Sequence, residues 1–161
     1  MAGIGISAYG VYIPQYRLSR KTIFGAMGWL SPGTLPGEKA VTNYDEDNLT
    51  MAVAAGINCL KATDRAVVDS LYFASTTFPY REKESAAIIA TALDLSSNIG
   101  TADLANSLRA GTRAIITACD SVKAHGAKSI LVCGSDHRLG KPGSPQEMVF
   151  GDGAAALLLS S

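Results

Sequence analysis

Cysteine is scarce: the 161 residues hold three, Cys59, Cys119 and Cys133, an odd number with no CxxC spacing. That pattern excludes a disulfide framework and offers no ligand set for zinc, so buried reduced thiols and no metal site are expected. An excess of charge of either sign is missing too, because 14 Lys and Arg balance 14 Asp and Glu. Without a basic block there is no electrostatic footprint for nucleic acid, and no such partner is expected. No apolar run approaches the roughly 18 residues of a membrane span. The opening MAGIGISAYG also lacks the basic-then-apolar order of a signal peptide. These absences predict a cytoplasmic protein with no membrane contact.

What remains is a small-residue-rich composition, 47% apolar and 17% charged with 16 glycines, of the kind found in α/β domains. The length is that of one domain, large enough to bury roughly two-thirds of its unfolded surface. No internal repeat or low-complexity tract interrupts it.

Residues 3–8 alternate and read as a first strand, followed by a loop at Pro14. Ser19 is a suitable N-cap for a helix to about Trp29, which Ser31, Pro32 and Gly33 would break. Two prolines and two glycines within 30–42 predict a long surface connection that could face substrate. Asp45, Glu46 and Asp47 suit the positive end of a helix over 49–60. A buried strand is predicted over 67–75, a polar turn over 76–83, a helix over 85–93 and an extended piece over 98–103. The next helix is expected from about Ser107 to His125, with Ile115, Cys119 and Val122 as its core stripe and His125 complementing its C-terminal end. A strand over 127–134, a Gly/Pro-rich excursion over 138–146 and a Gly-Asp-Gly turn into a last strand complete the chain. His137, beside Ser135, Asp136 and Arg138, reads as a solvated loop histidine. Strands alternating with helices predict an α/β fold with a mainly parallel or mixed central sheet.

Six motifs occur in a fixed order: YGVYIPQYR at 9–17, EKAVTNYDED at 38–47, ASTTFPY at 74–80, TADLANSLRAGT at 101–112, GKPG at 140–143 and FGDGAAALLL at 150–159. Together they resemble the N-terminal half of hydroxymethylglutaryl-CoA synthases of the archaeal type, within the thiolase superfamily and similar also to the third-type ketoacyl-acyl-carrier-protein synthases. The resemblance implies a thiolase-like half-domain over residues 1–161, one half of an αβαβα fold whose active site lies between two similar halves. It also implies that the final strand pairs across a dimer interface.

The same resemblance identifies what is missing. The nucleophilic cysteine of the family falls on Leu108, which has no lone pair to attack a thioester. The general acid/base glutamate falls on Thr76, which cannot shuttle protons near neutral pH. Ser107 is a weak replacement nucleophile, since no histidine of this half is placed to activate it, and the role expected of it is the helix N-cap. A coenzyme A thioester is the implied ligand, with nothing bound covalently. Arg17, Trp29 and Arg81 are its candidate contacts, and Lys39 and Lys83 are further cations that could meet its phosphates.

The function implied is a catalytically degenerate, synthase-like subunit of an assembly that forms or cleaves carbon–carbon bonds in acyl-CoA. Its partners would be thiolase-like chains in a homo- or hetero-oligomer, with a thiolase and a zinc-ribbon/OB-fold protein as further candidates. The alternative is an active acyltransferase completed by a second chain or a missing C-terminal half.

Overall fold

Alternation along the strands builds two cores from one sheet. The computed structural model describes residues 3–27, 35–138, 140–142 and 144–161. β1 (Gly5–Tyr12), β4 (Ser70–Ala74), β5 (Gly100–Leu104), β6 (Ser129–Asp136) and β7 (Gly153–Ser160) form a five-stranded sheet in the order β1-β7-β6-β4-β5. A two-stranded antiparallel ribbon joins β2 (Tyr16–Ser19) to β3 (Glu38–Val41). The main sheet is mixed: β4 pairs parallel with β5 and β6, whereas β7 pairs antiparallel with both β6 and β1. β7 is thus an interior strand, so the expectation that it pairs across a dimer interface is overturned. Both of its edges are already hydrogen-bonded, and the open edges belong to β1 and β5.

On one face, Leu71, Phe73, Leu131, Cys133, Ala156 and Leu158 pack under α2 (Asn48–Cys59) and α3 (Ser85–Ala92). On the other, Ala74, Ile130, Val132 and Leu159 meet α4 (Ala110–Lys123). Successive strand residues face opposite sides, so each strand feeds both cores. Gly10 lets α2 press onto β1, for a Cβ there would lie 2.3 Å from both the Ala55 carbonyl oxygen and the Cys59 nitrogen.

α2 begins as its acids predict. Asp47 accepts from the Thr50 amide while the Thr50 hydroxyl accepts from the Asp47 amide, closing a capping box. α4 corrects the expected stripe. Its buried residues are Ala110, Ala114, Ala118 and Val122, while Ile115 and Cys119 are only half-buried. Small side chains occupy the contact line because the helix lies directly on the sheet, and the bulkier residues are turned to its flanks. His125 takes a left-handed φ of 57° just past α4. There its amide donates to the Val122 carbonyl and that of Gly126 to the Ser121 carbonyl, a Schellman closure made by the backbone rather than by the imidazole.

The connection expected over 30–42 is partly strand, since β3 occupies 38–41 and pairs with β2; residues 28–34 lie outside the described residues. α1 (Arg20–Met27) starts one residue after Ser19, and the short α5 (Pro145–Val149) breaks the excursion predicted over 138–146. Among the described residues no helix is long and apolar enough to cross a membrane.

Candidate functional site

The C-terminal ends of β4 and β6 stop side by side, and the Gly-Asp-Gly turn that opens β7 closes over them. Together with the start of α4 they enclose a cleft of about 500 Å³ lined by Thr76, Ser107, Leu108, Gly111, Asp136 and Asp152, among others. Carboxyl ends of parallel strands are where open α/β sheets habitually leave room for ligands.

Two aspartates knit the cleft walls. One Asp136 carboxylate oxygen accepts from the Ser75 hydroxyl at 3.0 Å, the Thr76 amide at 2.6 Å, the Thr76 hydroxyl at 2.9 Å and the Thr77 hydroxyl at 3.1 Å. Asn48, at the start of α2, donates to the Ser75 hydroxyl and to the Thr77 carbonyl, so the same turn is held from the far side as well.

Asp152, whose side chain is 7% exposed, accepts from the Arg138 amide at 2.9 Å and the Thr42 amide at 2.9 Å. It also receives the Thr42 hydroxyl at 3.3 Å and lies 3.4 Å from His137 Nδ1. The His137 Nδ1 and the Thr42 hydroxyl are 2.6 Å apart. The imidazole is thus tied through Nδ1 to both the threonine hydroxyl and the carboxylate. His137 is therefore a bonded, half-buried residue rather than the solvated loop histidine expected from sequence.

The positions singled out in the sequence distribute unevenly. Leu108 and Thr76 line the same cleft. Leu108 is 83% exposed, an apolar side chain presented to the opening. The Thr76 hydroxyl donates to Asp136 and accepts from an Arg138 Nη1 at 3.0 Å, so both its hydrogen-bonding roles are taken. The Arg138 guanidinium in turn lies over the Phe150 ring, 4.7 Å from its centroid.

Ser107 is not the N-cap. That position belongs to Arg109, and the Ser107 hydroxyl accepts from the Arg109 amide, because Asn106 adopts a left-handed φ of 60° and turns the chain one step later than the sequence suggested. Arg17 is spent on its own turn, donating to the Pro14 and Tyr16 carbonyls. Arg81 and Lys83 line a separate hollow of about 430 Å³ that shares Thr76 with the cleft, with Lys83 5.1 Å from the centre of the Tyr80 ring. Lys39 lies on β3 beside Gly151. Trp29 lies outside the described residues.

Comparison with known proteins places the chain. No family model matches it. It is 35% identical over 162 residues to the hydroxymethylglutaryl-CoA synthase of Methanocella arvoryzae, covering 98% of this chain and 47% of that protein. With the same enzyme of Methanocaldococcus jannaschii it is 36% identical over 163 residues, covering 96% and 47%. Among solved structures, a hydroxymethylglutaryl-CoA synthase complexed with CoA superposes with a TM-score of 0.87 at 25% identity, over 98% of this chain and 42% of the other. The 3-oxoacyl-(acyl carrier protein) synthase III of Pseudomonas aeruginosa superposes at 0.86 with 23% identity, over 99% and 51%, which speaks for the fold alone. The chain spans about half the length of the relatives it matches.

Proposed function

The chain is hydroxymethylglutaryl-CoA synthase-like in sequence and thiolase-like in fold, and from that premise we propose that residues 1–161 are one domain, the N-terminal half of an acyl-CoA-handling unit, and that this half brings neither nucleophile nor proton shuttle to the reaction. The observation that carries the reading is the joint presence of Leu108 and Thr76 on the wall of a single cleft. Attack on a thioester needs a lone pair on the attacking atom, and leucine offers only C–H. A proton shuttle needs a group that titrates near the working pH and is free to move its proton. The Thr76 hydroxyl meets neither condition, being held between Arg138 and Asp136. The role left to this half is to bind and orient.

The ligand proposed is a coenzyme A thioester, because related synthases have been solved with CoA and with 3-hydroxy-3-methylglutaryl-CoA. Arg81, in the hollow that shares Thr76 with the cleft, is the cationic contact we favour, since Arg17 is occupied by its own turn. Assembly with a thiolase-like chain follows from the uncovered α4 side of the sheet. There Tyr9 and Val11 of β1 are 74% and 56% exposed, and Ala155, the cross-strand partner of Val11, is exposed beside them.

A second reading keeps catalysis, with another polypeptide completing the site, and His137, held against the cleft-lining Asp152, is what this chain would add to it. Incubation of the purified protein with radiolabelled acetyl-CoA, followed by denaturation and peptide mapping, tests the degenerate reading of this chain. No label is expected on this chain. Acid-stable label anywhere in residues 107–112 would overturn the degenerate reading.

A further inference from the structure

On the uncovered side of the sheet, the outer face of α4 carries a charge pattern that works against its own helix. With about 3.6 residues per turn, the line Ala110, Ala114, Ala118 and Val122 that meets the sheet leaves Ile116 on the opposite face. Arg109, Arg113, Ile116 and Asp120, spaced by four, three and four residues, form one exposed stripe there. The two arginines stand at the positive end of the helix dipole, and Asp120 stands in the last turn, at the negative end. Both ends hold the disfavoured sign, and only Lys123 suits its place.

Little within the chain offsets this. Among the described residues neither arginine side chain has a hydrogen bond, an ion pair or an aromatic ring. Asp120 reaches Lys123 at 4.0 Å between two exposed side chains, a contact that contributes little. Ile116, in the middle of the stripe, is 46% exposed.

A pattern reversed in one helix becomes complementary when an identical helix lies antiparallel against it. Arg113 and Asp120 are equally far from the step between Ile116 and Thr117. About a two-fold axis at that step, Arg113 of each copy is level with Asp120 of the other, and the two Ile116 side chains meet near the axis. Arg109 then lies at the C-terminal carbonyls of the opposing helix, where a cation is favoured. One patch meeting itself thus satisfies every misplaced charge, as an isologous interface requires. Two crossing helices alone bury less than the roughly 1,200 Å² of a specific interface. Tyr9, Val11 and Ala155, on the same side of the sheet, supply further apolar area. We propose that α4 packs antiparallel against α4 of a second copy of this chain, with reciprocal pairs between Arg113 and Asp120 fixing the register. The inference rests on the assembly reading above and names the partner.

Both charged positions are exposed, so reversing either leaves the fold intact. Light scattering and native mass spectrometry of the protein at micromolar concentration test the pairing, and the wild type is expected to be a dimer. R113E and D120R should each weaken self-association at least about 10-fold, since two attractive pairs become repulsive. Mixed together, the two variants should associate with each other in preference to themselves, because each substituted position then faces an opposite charge. The double variant R113E/D120R should regain the dimer for the same reason. Self-association of both single variants at the wild-type level, or no preference for the mixed pair, would overturn the α4 pairing and leave the assembly reading standing. A wild-type monomer would overturn both.

Discussion

Cys133 is the most deeply protected reactive group in the chain. Burial, reinforced by the neighbouring Cys59, pushes its thiol up to about 12, and burial raises Cys59 as well. Nucleophilic attack needs the thiolate, so at pH 8 both remain inert while the half-buried Cys119 is accessible. Iodoacetamide at that pH is expected to alkylate Cys119 first and to reach Cys59 and Cys133 only after unfolding, as peptide mass mapping would record. Labelling of Cys133 in the folded protein would contradict the packing described. The buried, reduced state of Cys59 and Cys133 was legible in the sequence, because isolated cysteines amid apolar residues behave as small hydrophobes. Asp47 as a cap was legible too, since its partner Thr50 is local. The networks around Asp136 and Asp152 were not. Each unites a loop or strand end with segments some 60 to 110 residues away, and no local pattern brings Thr42, His137 and Asp152 together.

Helix packing sets what the elements tolerate, and two glycines give opposite tests. Gly10 faces the backbone of α2 at 2.3 Å from a would-be Cβ, whereas Gly25 of α1 has nothing within 4 Å. Gly10→Ala is expected to cost about 1–3 kcal/mol or more, because the backbone of α2 must move rather than a side-chain tip. Gly25→Ala should stabilise by about 0.5–1 kcal/mol through helix propensity. Urea denaturation of both variants checks the pair, and equal effects would mean that α2 does not seat on β1 as described. The helical period of α4 was readable from its sequence, but its phase was not. Ile115 and Cys119 are more apolar than Ala114 and Ala118, yet the closeness of the sheet favours the smaller pair. Apolarity alone cannot report that distance. The parallel or mixed sheet expected from alternating strands and helices is present, but that alternation could not show which strand is antiparallel, namely β7 between β6 and β1.

The molecule as a whole leaves an apolar face open on the α4 side, with Tyr9 and Val11 at its β1 margin. Leaving on the order of 1,000 Å² of such surface wet would forgo about 25 cal/mol per Å² of its apolar part, comparable with a domain's entire stability margin. A dimer or larger assembly is therefore expected by light scattering at micromolar concentration. Because Val11 is exposed, Val11→Lys should leave the fold intact and shift the population toward smaller species. A wild-type monomer with a cooperative thermal transition would sink this expectation.

The interior position of β7 also imposes an order on folding. Gly5 pairs with Ser160 and Tyr12 with Ala154, so among the described residues β1 finds its sheet neighbour only in a segment far later in the chain. Until residues 153–160 leave the ribosome, β4, β5 and β6 can assemble as a parallel trio, while β1 has nothing to pair with and α2 only part of its seat. Contacts of such sequence separation put this chain among high-contact-order folds, whose closure is slow. During that wait the apolar residues of β1 and the unfilled edge of β6 are exposed together, the condition under which a nascent chain depends on a chaperone to keep from aggregating.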